Sequence, residues 1–247
     1  MDSYGDFSYY YDMLMDDVDY KKWYLYIEKI FTAFNAKPNN ILEMACGTGN
    51  LTYILCQNNY DVTGFDKSSE MLSIAYNKLL SFRNVKILNQ DMINFNINCK
   101  YDAILSICDS INYIIDREDL LRVFQNVNRH LNSNGIFIFD INSYYKLSSI
   151  IGDNIFVEDR EDIFYTWQND FDREDELAYF LLTFFIKNEN GSYKRFDEEH
   201  IERAYTIEEI IALLKKAGFN KINYFESFTF ECPKDNSERI NFVVQKD

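Results

Sequence analysis

The residues best suited to chemistry in this sequence are a glycine turn and the acids around it. The run Ile41-Leu-Glu-Met-Ala-Cys-Gly-Thr-Gly-Asn-Leu-Thr52 sends strand-forming residues into Gly-Thr-Gly, and a helix follows with Leu51, Ile54 and Leu55 on one face. Gly47 and Gly49 carry no Cβ, so the backbone can bend sharply and a ligand can lie against it, near the positive end of that helix. Such a loop suits a nucleotide-like ligand. It is not the G-x-G-x-x-G turn of dinucleotide-binding proteins, because Thr52 stands where the third glycine belongs. Glu43, two residues before Ala45, suits a cationic ligand better than a phosphate. Asp66 ends the next apolar run, where a carboxylate can accept two hydrogen bonds from a ribose diol; a helix-capping acid is the alternative.

The elements that must hold these residues alternate in type. Asp19 opens a helical pattern in which Trp23, Ile27, Ile30 and Phe34 recur three or four apart, and Pro38 is expected to end it. Strands are expected from residue 41 and over 60–66, 85–90, 101–108 and 135–140, with Ser68 and Asp116 starting helices between them. This rhythm predicts βαβ units, a parallel sheet and ligands at the carboxyl ends of its strands. His130, at the end of a helix, is expected to face solvent.

Past residue 142 the pattern becomes strand-like with turn signals, over 162–168, 176–187 and 193–205, which predicts a small antiparallel sheet. Thr206-Ile-Glu-Glu209 reads as a capping box. Two closing strands are expected over 222–230 and 239–245.

Glu43-Met-Ala-Cys-Gly-Thr-Gly49 followed by Val62-Thr-Gly-Phe-Asp66 resembles the first two motifs of the class I S-adenosylmethionine-dependent methyltransferases. Ala45 departs mildly from the glycine usual there. The resemblance covers nearly the whole chain, and it implies an α/β, Rossmann-like seven-stranded sheet with an inserted antiparallel β-subdomain. It divides the chain into an N-terminal lid and helix (1–37), a cofactor-binding core (38–141 and 206–247) and an acceptor-covering insertion (142–205).

In such a protein the loop, with Glu43, Ala45, Gly47 and Gly49, underlies the methionine part of S-adenosyl-L-methionine. Asp66 takes the ribose, Asp91 and Met92 frame the adenine, and Cys108 and Asp109 lie beside the methionine end. Lys67 and Met71 join the cofactor-binding set, Lys67 with a solvated head. Tyr11, in Tyr10-Tyr-Asp12, resembles the N-terminal tyrosine that reaches over the methyl group in small-molecule methyltransferases. The N-terminal Tyr-Asp and the insertion together resemble amine and amino-sugar N-methyltransferases.

Methyl transfer from a sulfonium needs alignment and exclusion of water more than a triad or a metal. An amine acceptor must shed a proton, so a base would help. His200 is the histidine placed to supply one. Residues two apart on a strand share a face, so His200 and Glu202 point one way and Arg203 and Tyr205 the other. Arg203 and Tyr205 are expected to contact the acceptor, with His200 as rival, and Asn112 joins them. Between residues 142 and 205, fifteen acids face seven bases, which favours a cationic acceptor if they line the pocket.

The net charge of −15 argues against nucleic acid or anionic membranes as partners. The five cysteines show no metal-ligand spacing and fit a reducing cytoplasm. No apolar run is long enough to span a bilayer, and a monomer or homodimer is expected. A catalytically silent cofactor-binding protein and a nicotinamide-dependent oxidoreductase are the alternatives.

Overall fold

Two sheets organise the chain in the computed structural model, which describes residues 11, 12, 14, 18–188 and 190–247. Helix α1 (Tyr20–Ala33) is capped by the Asp19 side chain, which accepts from the Lys22 amide at 2.8 Å. It stops well before Pro38, because Asn35 turns into the left-handed region with φ 53°. The chain then alternates β1 (Asn40–Met44), α2 (Asn50–Gln57), β2 (Asp61–Asp66), α3 (Ser69–Leu79), β3 (Val85–Asn89) and β4 (Tyr101–Ser106). Helix α4 (Arg117–His130) and β5 (Leu131–Asn142) complete the parallel part.

After a four-stranded excursion, α5 (Ile207–Lys216), β10 (Lys221–Glu226) and β11 (Arg239–Gln245) close the large sheet. Its order is β3-β2-β1-β4-β5-β11-β10, with β1 to β5 parallel and β11 antiparallel to both of its neighbours. Capping follows the expected chemistry. Ser68 Oγ accepts from the Met71 amide, and Thr206 with Glu209 forms a reciprocal capping box.

Successive strand residues face opposite layers, both covered by helices, which is why the middle of β5 reads as the apolar run Ile136-Phe-Ile-Phe139 with no polar alternation. Leu42, Phe137 and Phe139 pack with α4 and α5, while Ile41, Ile136 and Ile138 pack with α1 and α2. Phe139 stacks on Phe242 of β11 with ring centroids 4.9 Å apart. Burying such a ring contributes about 1.5–3 kcal/mol, so the last strand is anchored by its core face. His130 corrects the expectation of a solvated residue. It is 3% exposed, its Nε2 accepts from the Ile97 amide at 3.1 Å, and its Nδ1 meets the Asn126 carbonyl at 2.8 Å. The helix and the loop before β4 are tied together by it.

The second sheet is antiparallel, in the order β6 (Ile155–Asp159), β7 (Ile163–Asp172), β8 (Leu177–Lys187) and β9 (Tyr193–Arg203). A wide helical turn, Lys146–Ile151, leads into it from β5, closed by Gly152 donating to the Leu147 carbonyl. Neither that turn nor β6 as a separate strand was anticipated. All five β6 residues are exposed, so the strand carries no inside–outside alternation to read.

Candidate active site

The β1–α2 loop takes its shape from backbone conformations that most residues avoid. Ala45 sits at φ 51°, Gly47 at 53° and Gly49 at 78°. Gly49 caps α2, and a Cβ there would come within 3.2 Å of both Ala75 and Leu79, so this glycine serves helix packing rather than ligand contact. A Cβ on Gly47 would meet nothing within 4 Å, because that side of the loop opens into a cavity of about 1060 Å³. That volume is at the top of the roughly 300–1,000 Å³ range of single-ligand pockets, enough for two molecules side by side.

Asp66, at the end of β2, faces this cavity. Its Oδ2 accepts from the Gly47 amide and its Oδ1 from the Ser68 amide, both at 2.9 Å. Each carboxylate oxygen keeps a second lone pair, so the acid braces the loop and still presents acceptors to a diol. Burial raises its pKa, against the backbone hydrogen bonds that lower it. Asp91, Met92 and Met71 line the same end, and Lys67 lies 3.8 Å from Asp91 with its side chain largely in solvent. The Ile93 amide fixes the Asp91 carboxylate from behind at 2.8 Å.

Cys108 and Asp109 both adopt positive φ, 58° and 55°, at the turn after β4. Two such non-glycine residues in succession store strain of order 1–3 kcal/mol each at the cavity floor. Buried polar contacts hold them there. The Asp109 amide donates to Asp140, Arg239 pairs with Asp109 at 2.7 Å, and the same guanidinium grips Asp140. Burial pushes the Asp109 pKa up, but the charges of Arg239 and Lys146 outweigh it and hold the carboxyl below its usual range. Tyr11 reaches into the cavity, and burial, with Tyr20 and Cys108 nearby, raises its phenol well above the ordinary value. The next residue, Asp12, accepts from Thr48 (2.5 Å) in the glycine loop, from Asn50 (3.0 Å) at the start of α2 and from Lys78 (2.8 Å) on α3.

The four-stranded sheet roofs the opposite end. His200 lines the cavity, packs edge-on to Tyr113 at 5.9 Å, and is pushed down to about pKa 4 by burial, which leaves the imidazole neutral at pH 7. Glu202 lies on the same strand face; its Oε2 accepts from Asn142 Nδ2 at 2.9 Å. Burial, reinforced by Asp109, raises its pKa.

Several expected site residues are placed elsewhere. Arg203 pairs with Glu176 at 3.1 Å, and the Tyr205 hydroxyl donates to the Ile114 carbonyl; neither lines the cavity. The strand alternation was read correctly, but the inward face is the His200 and Glu202 face. Asn112 is buried between strands, donating to the Asn142 and Arg203 carbonyls, and so fastens the two sheets together. Glu43 lies beneath the loop, where it accepts from Thr52 Oγ1, and burial pushes it up to about pKa 8. It offers no anion to the cavity.

Other residues of the site escaped sequence reasoning. Glu202 was seen only as a neighbour of His200, while Arg239, Lys146, Trp167 and Phe180 come from segments that show no local motif. Asp12 was legible only as part of the Tyr-Asp pair.

The residues fit S-adenosyl-L-methionine: an open loop backbone at Gly47, a diol-accepting acid at Asp66, and the apolar Met71 and Met92 beside Asp91. Residues 41–135 match the family model described as "Methyltransferase domain". The chain is 37% identical to the methyltransferase-family protein YqeM of Bacillus subtilis over 98% of its own length and 97% of that protein's. The crystal structure of an S-adenosylmethionine-dependent methyltransferase from Clostridium acetobutylicum superposes with a TM-score of 0.88 at 42% identity, covering 96% of each chain. CalS10, an amino pentose methyltransferase from Micromonospora echinaspora solved with S-adenosylmethionine bound, shares the fold at 16% identity, with a TM-score of 0.78 over 97% of this chain and 96% of that one. With relatives of 37% and 42% identity matched over 96–98% of its length, this chain belongs to the S-adenosylmethionine-dependent methyltransferases.

Proposed function

We propose that this enzyme methylates a small-molecule amine held beneath the four-stranded sheet. The observation that carries the reading is the pairing of neutral His200 with Glu202 on one inward strand face, opposite the glycine loop and beside Asp109. The bound cofactor supplies an electrophilic methyl group on sulfonium sulfur. The protein's residues do the rest. Tyr11 and the strained Cys108–Asp109 turn position the methyl end, and Asp66 and Asp91 hold the nucleoside end. Burial, reinforced by Asp109, raises Glu202 to about pKa 8, so its carboxyl is mostly protonated at pH 7; it is the ionised fraction, growing as the pH rises through 8, that takes the proton an ammonium must lose. His200 accepts a hydrogen bond from the amine N–H and so orients the lone pair for in-line attack.

What CalS10 acts on, an amino pentose, supports a nitrogen acceptor. The five cysteines, all free thiols, support a cytoplasmic setting. No helix among the described residues is long and apolar enough to cross a membrane. The test is transfer of a labelled methyl group to a panel of primary and secondary amines and their matched alcohols. Amines should be methylated, and Glu202→Gln should lower kcat about 100-fold, at the low end of general-base contributions. Methylation of alcohols without amines would sink the reading.

A further inference from the structure

The roof of the cavity is chemically divided. On β7 and β8 the inward residues at the cavity are Tyr165 and Trp167, and Phe180, Leu182 and Phe184; none is charged. Register makes them one surface: Tyr165 pairs with Phe184 and Trp167 with Leu182 across the strands, and the Trp167 and Phe180 rings meet edge to face at 5.7 Å. The polar edge begins one strand further on, where Phe180 pairs with His200 and Ala178 with Glu202. Ring wall and acid–imidazole pair therefore lie side by side on one sheet face.

That division limits the acceptor's shape. A hydroxyl set against this wall without a partner loses its water and gains nothing in return, so a polyhydroxylated ring is disfavoured there. An apolar ring laid on it leaves water at no such cost and is favoured instead. Adjacent strands are about 4.8 Å apart, so a body lying on Phe180 and Trp167 puts a nitrogen two or three bonds away at the His200 strand.

We propose that the acceptor is an amine carried on an apolar, ring-like body, which lies on Trp167, Phe180 and Leu182 with its nitrogen at His200 and Glu202. This rests on the amine reading above and narrows it: the substrate class is aryl- or cycloalkyl-alkylamines, not amino sugars or simple polar amines.

The experiment compares phenethylamine, glucosamine and methylamine as acceptors, with phenethyl alcohol and phenethyl thiol as controls for the nucleophile. Binding is read separately, as a change in Trp167 fluorescence in a Trp23→Phe background with S-adenosylhomocysteine present. Phenethylamine should exceed glucosamine and methylamine at least tenfold in kcat/KM and should change the Trp167 signal. Trp167→Ala should lower kcat/KM for phenethylamine about tenfold without altering the dissociation constant of S-adenosylhomocysteine; an equal loss for methylamine would mean a structural effect and overturn the assignment. Glucosamine or methylamine matching phenethylamine would overturn the proposal and leave the amine reading standing. Turnover of the alcohol or thiol without the amine would overturn the amine reading and with it the nitrogen in this proposal, leaving only the apolar seat on Trp167, Phe180 and Leu182. No turnover and no fluorescence change with any phenethyl compound would overturn both.

Discussion

At the cofactor end of the cavity, contacts are local: Gly47 and Asp66, 19 residues apart, hydrogen-bond across one βα turn. At the acceptor end they are remote. Asn142 meets Glu202 across 60 positions, and Arg239 meets Asp140 across 99. The first end is built from backbone amides and one acid per strand terminus, the second from side chains brought together by packing between the sheets, as Asn142 and Glu202 are, or by the pairing of β5 with β11 inside the large sheet, as Asp140 and Arg239 are. The contrast teaches that the two ends of the cavity rest on separable structures, one of them a loop and the other a set of contacts between strands remote in the chain.

The sharpest way to break that contrast is Asp66→Ala. It should weaken S-adenosylmethionine binding about fiftyfold by calorimetry, the worth of one to two hydrogen bonds to a charged group, and leave the acceptor's KM unchanged. Comparable losses in both would mean that the two ends are coupled.

A pH titration probes the acceptor end by itself. His200 has a folded pKa near 4 and an unfolded one near 6.5, so between those values the unfolded chain binds more protons and stability falls as the pH drops. His200→Gln should remove on the order of 2 kcal/mol of that acid destabilisation, read from urea midpoints at pH 4.5 and 7. Equal slopes for both proteins would show that the imidazole is not desolvated.

Arg203→Ala sharpens the distinction between roof and support. The pair with Glu176 and the stacking over Tyr205 are lost, so stability should fall by about 1–2 kcal/mol in chemical denaturation while the acceptor's KM stays unchanged. A raised KM at unchanged stability would return Arg203 to the substrate.

Ala45→Gly is the mildest test. Relief of the left-handed strain, roughly 1–2 kcal/mol, is offset by glycine's extra chain entropy, so the thermal midpoint should move by only a degree or two. A large gain would mean that Ala45 strains the loop more than its φ implies.

Much of the large sheet was legible because its signals are local. Strand ends, caps at Asp19, Ser68, Asp116 and Thr206, and the turn glycines each state their role within a few residues. Asp66, Asp91, Met92, Cys108 and Asp109 follow from them, since the carboxyl ends of adjacent parallel strands share one edge. Glu43 misled because an acid in a strand can be satisfied internally, here by Thr52. His130 misled because a basic helix end looks like solvent until a loop amide packs against it. Arg203 and Tyr205 misled for a subtler reason: period two divides a strand into faces but does not say which face looks inward.

The sequence alone determined the βαβ order, the glycine loop after β1, the acids at the strand ends and the existence of a second, antiparallel sheet, because each depends on neighbours in the chain. Only the tertiary structure decided which face of β9 turns toward the cavity, that Arg239 and Lys146 hold Asp109 ionised, and that an aromatic wall stands beside His200 and Glu202. Those are properties of how the two sheets pack and of which remote strands pair within the large one, and contacts across 60 to 99 residues leave no periodicity in the chain from which to read them.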